Sequence, residues 1–259
     1  TRQMNVVLDH ARGRGMKSEM IAAIATVGDT WRTLCPNLPD EWREVMGLWD
    51  AWTRRFPGLD IVGIFPGDPG ACSRNGCTAE TYIDKSIEVA ALIKRNLPSA
   101  EVEFHTWGPP FFGWGIIHMP ESSQGEFIPQ DQASAWTFSK ERADKAMNHL
   151  LRRLKDFPQD TSVGINLGFN GDGNPQGEQD ARPWAVEIAR TNPIQTWDFS
   201  LTEGENAVYP HYRFSRLFQR RREERDAAPY RGGICFTMTP LLNQLSLYEA
   251  ARSFTQPDA

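Results

Sequence analysis

The fold is decided by one apolar run, Leu59-Asp60-Ile61-Val62-Gly63-Ile64-Phe65. Pro57 and Gly58 end the helical pattern before it, and a turn rich in glycine and proline follows it. A short and almost continuous apolar run between two such breaks predicts a strand that is buried on both faces, as in a parallel sheet.

Outward from this run, predicted strands and helices alternate along the chain. Residues 4–11 have helical spacing, which predicts that the chain opens inside a helix, and Thr78 is the predicted N-cap of a later one. The predicted strands span residues 20–27, 59–65, 102–107, 162–169, 194–201 and 232–237, and the predicted helices span residues 40–56, 78–96, 140–156, 179–190, 210–225 and 241–254. Six strand–helix units predict the α/β class.

A doubly wound sheet and a barrel both produce this order of elements. The longest and most irregular loops follow strands, so they lie at the carboxyl edge of the sheet in either fold. We expect a (β/α)₈ TIM-barrel-like fold with six β/α units visible, in a single domain over residues 1–259. Because an eight-stranded barrel needs two more strands, we also expect the chain to be an N-terminally truncated fragment.

Composition excludes several classes of partner. The 28 basic and 33 acidic side chains leave a formal charge of -5, which supplies no basic field for nucleic acid or for an anionic membrane. No apolar stretch approaches the roughly 18 residues of a membrane span. No dinucleotide fingerprint or P-loop is present, so we expect no cofactor. Neither localisation nor oligomeric state is indicated.

The turn after residues 59–65 carries the first candidate site residues. Asp68 and Arg74 lie among the glycines and prolines that shape this turn, at the carboxyl end of a strand. The alternative is that Asp68 only caps the turn, as Asp before Pro-Gly often does. Cys72 and Cys77 follow, and a disulfide or two packed thiols is favoured over zinc because no second cysteine pair completes four ligands.

An aromatic loop follows the strand that spans residues 102–107. His105, Trp107 and Trp114 lie in or next to a run that also holds two phenylalanines. Sugar rings stack on such platforms through their apolar faces, as bases do. A loop that buries its own rings over the sheet would have the same composition.

The strand over residues 194–201 leads into the richest group of polar side chains. Trp197, Asp198, Glu203, Glu205 and His211 follow one another there, and Asn166 follows the preceding strand. Glycosidic hydrolysis needs two carboxyl groups about 5 to 9.5 Å apart, one as acid and one as nucleophile or base. Both glutamates also suit a solvated helix start, which is the competing interpretation.

Two motifs resemble those of TIM-barrel glycoside hydrolases of the hexosaminidase-like and α-glucuronidase-like kind. They read Phe65-Pro66-Gly67-Asp68-Pro69-Gly70-Ala71-Cys72, and Trp197-Asp198 with Glu203-Gly204-Glu205-Asn206. The resemblance implies that Asp68 takes the place of the Asp of an Asp–Glu pair that orients the substrate and protonates the leaving group. Pro69 stands where that pair has Glu, so the sequence departs from the pattern there.

The sequence therefore predicts a glycoside hydrolase that acts on a polysaccharide or glycan. Glu203, Glu205 and Asp68 are its predicted catalytic residues, and the predicted substrate-binding residues are Arg74, His105, Trp107, Trp114, Asn166, Trp197, Asp198 and His211. One alternative is a carbohydrate-binding barrel without activity. The other is a metal-dependent hydrolase that uses His105, His211 and Asp198, although no metal is expected in the favoured interpretation.

Overall fold

The computed structural model describes residues 2–27, 32–66, 72, 75–106, 140–165, 182–198, 218–219, 221–222, 225–226, 230–235, 244–256 and 258. The chain divides into two compact units. Unit 1 comprises Thr1–His105 and Phe111–Ser162, and unit 2 comprises Thr106–Pro110 and Val163–Ala259. The expected single domain over the whole chain stays a prediction.

Unit 1 holds three parallel strands with helices between them. Its elements in chain order are α1 (Arg2–Gly13), β1 (Glu19–Ala23), β2 (Thr26–Val27), β3 (Arg32–Thr33), α2 (Pro39–Arg55), β4 (Ile61–Phe65), α3 (Ala79–Asn96), β5 (Glu101–His105) and α4 (Lys140–Arg153), which ends in a 3₁₀ turn over Leu154–Asp156. Strand β4 pairs with β1 on one side and with β5 on the other, both in parallel. In this register Gly63 lies between Ile21 and Glu103.

Unit 2 repeats the alternation of strand and helix. Its elements are β6 (Ser162–Ile165, of which the first residue belongs to unit 1), α5 (Arg182–Ile188), β7 (Ile194–Asp198), β8 (Tyr230–Cys235) and α6 (Gln244–Thr255). Strand β7 pairs in parallel with β6 and with β8. The predicted α/β class with parallel strands is confirmed.

Helix α3 shows how local sequence sets these elements. The predicted N-cap is confirmed, because the Thr78 side chain accepts a hydrogen bond from the Thr81 N–H in a reciprocal capping box. Lys94 and Arg95 lie in the last turn, where positive charge complements the helix dipole. Tyr82 on the inner face of this helix stacks on Phe104 of β5, with ring centroids 5.1 Å apart.

One predicted strand is divided in the structure. The single strand expected over residues 20–27 ends at Ala23, and residues 26–27 instead pair in antiparallel fashion with residues 32–33. The Ile24 N–H donates to the Phe65 carbonyl oxygen at 2.8 Å, and Ala25 accepts from the Leu34 N–H at 2.9 Å. The prediction of strand is therefore confirmed for residues 20–23 and 26–27, whereas the bend at Ile24 and Ala25 and the change of pairing partner were missed.

None of the described helices is both long enough and apolar enough to cross a membrane.

Candidate functional site

Strand β5 presents two chemically different faces. Val102 and Phe104 are fully buried on one of them, and Phe104 contacts Tyr82 of α3 and Phe157, whose ring lies 5.3 Å away. Because side chains alternate along a strand, Glu103 and His105 point to the opposite face. Both are also fully buried. A charged residue type is rarely found at such depth unless it is paired or functional.

Glu103 and His105 meet a third titratable side chain from β1, Glu19. We call these three residues the carboxyl–imidazole cluster. One carboxylate oxygen from each glutamate and one ring nitrogen of the histidine all lie within 4.8 Å of one another. The His105 Nε2 atom is 3.5 Å from Oε1 of Glu103. Strand β4 lies between β1 and β5, so the cluster spans the face of three strands.

Gly63 of β4 makes this convergence possible. A Cβ atom at this position would lie 3.0 Å from His105 Nε2 and 2.8 Å from Ile21 Cγ1. Both distances are at or below the closest approach that side-chain carbons tolerate. The imidazole therefore occupies space that any other residue at position 63 would fill, which is why glycine interrupts an otherwise apolar strand.

Burial controls the protonation of the cluster. It raises the pKa of Glu103 well above its ordinary value, and the neighbouring charge of Glu19 raises it further. Burial also raises the pKa of Glu19, and it lowers the pKa of His105 to about 3. Burial therefore favours a protonated Glu103 carboxyl group beside a neutral imidazole over an ion pair between the two.

The position of His105 connects the cluster to the expected site edge. It is the last residue of β5, so its ring lies at the carboxyl end of the parallel strands of unit 1. The Tyr82 hydroxyl lies 2.9 Å from the His105 carbonyl oxygen and 3.1 Å from that of Ile64. These contacts tie the ends of β4 and β5 to α3, which holds the imidazole in place.

Chemically, the cluster offers a proton donor, a second carboxyl group and a neutral nitrogen within one small volume. Such a group can donate and accept hydrogen bonds to a hydroxylated ligand. Carboxylate oxygens and an imidazole also form a ligand set for a divalent cation.

Of the side chains predicted for the site, the structure describes only that of His105. For Trp197 and Asp198 it describes the backbone, at the end of β7, and not the side chains. The others lie outside the described residues: Asp68, Arg74, Trp107, Trp114, Asn166, Glu203, Glu205 and His211. Their roles stay predictions.

Glu19 and Glu103 were missed by sequence reasoning. The signal for Glu103 was present, because Glu103 and His105 alternate with the apolar residues Val102 and Phe104 in the predicted strand over residues 102–107. Glu19 carried no such signal, since its strand was expected to begin one residue later.

The cysteines form a second cluster of unit 1. Cys35, Cys72 and Cys77 are buried thiols outside any disulfide, and the Sγ atom of each lies within 4.8 Å of the other two. The Sγ atoms of Cys35 and Cys77 are 3.6 Å apart. The favoured alternatives were a disulfide or two packed thiols, and the structure shows packed thiols. It adds Cys35, which the sequence had not linked to the pair.

Comparison with known proteins identifies the class of fold. No family model matches the sequence, and no curated protein matches it significantly. The catalytic domain of β-amylase from Paenibacillus polymyxa has a TM-score of 0.54 at 9% identity, covering 99% of this chain and 86% of that one. A GH5-4 broad-specificity endoglucanase from an uncultured bacterium has a TM-score of 0.53 at 10% identity, covering 98% of this chain and 74% of that one. A sugar phosphate isomerase/epimerase from Parabacteroides distasonis has a TM-score of 0.47 at 10% identity, covering 98% and 77%.

The first two of these likenesses show the fold. The chain has an α/β, TIM-barrel-like fold, and its structural neighbours include glycoside hydrolases. The narrower resemblance to hexosaminidases and α-glucuronidases gains no support from them. In this fold the strand face away from the helices is the interior, where side chains of alternate strands meet in layers. Glu19 of β1 and Glu103 of β5 meet in this way across Gly63 of β4.

Proposed function

We propose that this chain is a glycoside hydrolase that cleaves polysaccharide or glycan bonds by carboxylate acid–base chemistry. The observation that carries the proposal is the carboxyl–imidazole cluster. Interior layers of a TIM barrel are usually filled by bulky aliphatic side chains, whereas here two carboxyl groups and an imidazole occupy that position in unit 1. Titratable groups whose pKa values are shifted by burial cluster at functional sites.

Within this proposal the cluster forms the base of the substrate pocket. The neutral His105 ring lies at the carboxyl end of β5, where it can hydrogen-bond a sugar hydroxyl. Glu103 acts through His105 as a positioning residue, because its protonated carboxyl group lies beside the ring nitrogen. Glu203, Glu205 and Asp68 remain the proposed catalytic carboxyl groups. Trp107, Trp114 and Trp197 remain proposed stacking residues for a sugar ring. The proposed hydrogen-bonding partners of the substrate remain Arg74, Asn166, Asp198 and His211.

The cluster and the neighbours together support a carbohydrate as the proposed substrate class. A pocket whose base is neutral suits an uncharged ligand rich in hydroxyl groups. The β-amylase and the endoglucanase are both enzymes that act on glycans, and these names supply the first substrates to test.

The direct test measures reducing-sugar release from a panel of soluble polysaccharides and aryl glycosides. We expect Glu203→Gln or Glu205→Gln to lower kcat by about 100-fold or more, as loss of an acid–base group does. We expect His105→Gln to raise KM. Glu101→Gln is the matched control, because Glu101 lies two residues before Glu103 on the same strand face and pairs with the exposed Lys17.

Three results contradict the proposal in different ways. Undiminished turnover in both glutamate variants removes those residues from catalysis. A wild-type protein that binds glycans without cleaving them is a carbohydrate-binding barrel. A wild-type protein that neither binds nor cleaves any member of the panel is not a carbohydrate-active protein.

A second function is favoured by one specific observation. The ligand atoms of Glu19, Glu103 and His105 lie close enough together to share one divalent cation. This would make the chain a metal-dependent enzyme acting on carbohydrates, with a ligand set different from the His105, His211 and Asp198 suggested by sequence. Activity that is lost with a chelator and restored by Mn²⁺ or Mg²⁺, and that Glu103→Gln abolishes, supports it; activity insensitive to the chelator excludes it.

A further inference from the structure

The three buried thiols of unit 1 form a group that the proposed function does not use. Cys35 follows β3, whereas Cys72 and Cys77 belong to the connection from β4 to α3. Cys35 is 42 residues from Cys77 in sequence, and their sulfur atoms are 3.6 Å apart. Two separate connections of the chain thus bring all three Sγ atoms within 4.8 Å of one another.

The sulfur geometry matches a metal site better than a disulfide. A disulfide bond is about 2.05 Å long, so the Cys35 and Cys77 sulfurs at 3.6 Å are not bonded to each other. With Zn–S bonds of about 2.3 Å, two sulfurs of a tetrahedral site lie about 3.8 Å apart. The distance between the Cys35 and Cys77 sulfurs is close to this tetrahedral S–S distance. The Cys72 sulfur lies within 4.8 Å of both.

The backbone directly before Cys77 has an unusual conformation. Asn75 and Gly76 both adopt left-handed conformations, with φ of 51° and 71°. A non-glycine residue adopts this conformation at some cost, and residues held in it cluster at functional sites.

Neighbouring polar groups hold the cluster from outside. The Asn75 side-chain amide donates to the Cys35 sulfur at 3.3 Å. The Asn37 side chain donates to the Asn75 carbonyl oxygen at 2.9 Å, and the Cys35 N–H donates to the Glu41 carboxylate. Hydrogen bonds that orient the ligands are the usual outer layer of protein metal sites.

A bound cation would hold the three sulfur atoms as thiolates, because a coordinated thiol is deprotonated. Soft sulfur ligands select zinc and similar metals over magnesium or calcium.

We propose that Cys35, Cys72 and Cys77 bind one Zn²⁺ ion as three thiolates, with water as the fourth ligand in the simplest case. The ion would link the segment after β3 to the connection from β4 to α3. Asp68 and Arg74 belong to that same connection, so the metal would restrain the segment that carries two of the proposed site residues. The proposal does not depend on the chain being a glycosidase.

The test uses the whole chain purified under reducing conditions. Elemental analysis is expected to find one equivalent of zinc, and replacement by Co²⁺ is expected to produce a thiolate-to-cobalt charge-transfer band in the near ultraviolet. Cys35→Ser, Cys72→Ser and Cys77→Ser are each expected to weaken Zn²⁺ binding by more than about 100-fold, beyond what loss of an outer-layer contact costs. Cys235→Ser is the matched control, because the fourth cysteine lies in β8 of unit 2, and it is expected to keep the metal.

The wild-type cobalt spectrum keeps the test valid even if a serine variant fails to fold. Absence of both zinc and a charge-transfer band after titration with excess Co²⁺ overturns the proposal. Mass spectrometry can also detect a disulfide. If two of the three cysteines react with an alkylating reagent only after reduction, they form a disulfide, which overturns the proposal. Metal retained in all three serine variants and lost in Glu103→Gln assigns the ion to the carboxyl–imidazole cluster, which also overturns it.

Discussion

Gly63→Ala is the substitution that most directly tests the geometry of the carboxyl–imidazole cluster. The new methyl group would lie 2.8 Å from Ile21 Cγ1 and 3.0 Å from His105 Nε2. His105 is fully buried and its carbonyl is held by Tyr82, so the ring has little room to withdraw. We therefore expect a forced shift of Ile21 or of the imidazole.

Two opposing effects set the magnitude of the change. Replacing glycine by alanine within a strand stabilises the fold by about 0.5–1 kcal/mol, because the unfolded chain loses conformational freedom. Overpacking a buried site costs about 1–3 kcal/mol. The second effect is larger, so we expect net destabilisation of about 0.5–2 kcal/mol, which corresponds to a Tm lower by about 1–8 °C in a chain of this size.

Thermal unfolding followed by circular dichroism measures this difference, and Gly47→Ala is the matched control. Gly47 lies in α2, and a Cβ there would have no atom within 4 Å. The control is expected to raise stability by about 0.5–1 kcal/mol, from helix propensity alone. A Gly63→Ala variant that gains stability as Gly47→Ala does would refute the close approach of His105 across β4.

Two predictions concern pH. The raised pKa of Glu103 means that the folded chain keeps a proton that the unfolded chain releases above about pH 4.3, so this residue costs stability increasingly as pH rises. The Tm of Glu103→Gln should therefore exceed that of wild type by a margin that grows from pH 5 to pH 8. A margin that is equal at all pH values, or that Glu101→Gln also shows, would argue against a buried acid at position 103. The lowered pKa of His105 affects stability in the opposite direction. The unfolded chain binds a proton at His105 below about pH 6.5, whereas the folded chain binds it only near pH 3. Stability therefore falls as pH falls across this interval. His105→Gln should flatten that fall, which has a slope of up to about 1.4 kcal/mol per pH unit in urea unfolding, and an unchanged slope would show that the ring is not buried in its neutral form.

Local features were the part of this protein that sequence reasoning predicted best. Thr78 caps α3 because its hydroxyl meets an N–H only three residues away, and strands such as β4 follow from apolar runs between breaks. The expected strand over residues 20–27 was the exception. The chain bends at Ile24 and Ala25, and its backbone partner changes there from Phe65 of β4, some forty residues further on, to Leu34.

Among the site residues, too, those with a local signal were predicted and those that depend on contacts between distant residues were not. His105 was selected from sequence because it ends a strand and precedes an aromatic loop, both of which are local properties. Its partners were not selected, because the proximity of Glu19 to Glu103 is a consequence of how β1, β4 and β5 are aligned. No spacing within the sequence encodes that alignment.

The amino-acid sequence by itself thus determined the α/β class and most of the order of strands and helices, and it predicts a site at the carboxyl edge of the sheet. Hydrophobic periodicity, caps and breaks act over a few residues and are visible in any short window. Only the tertiary structure decided which side chains meet: Glu19 with Glu103 and His105 across a glycine, and Cys35 with Cys72 and Cys77. These contacts depend on strand register and on loops from distant parts of the chain, which are set by packing of the whole unit and not by neighbouring residues.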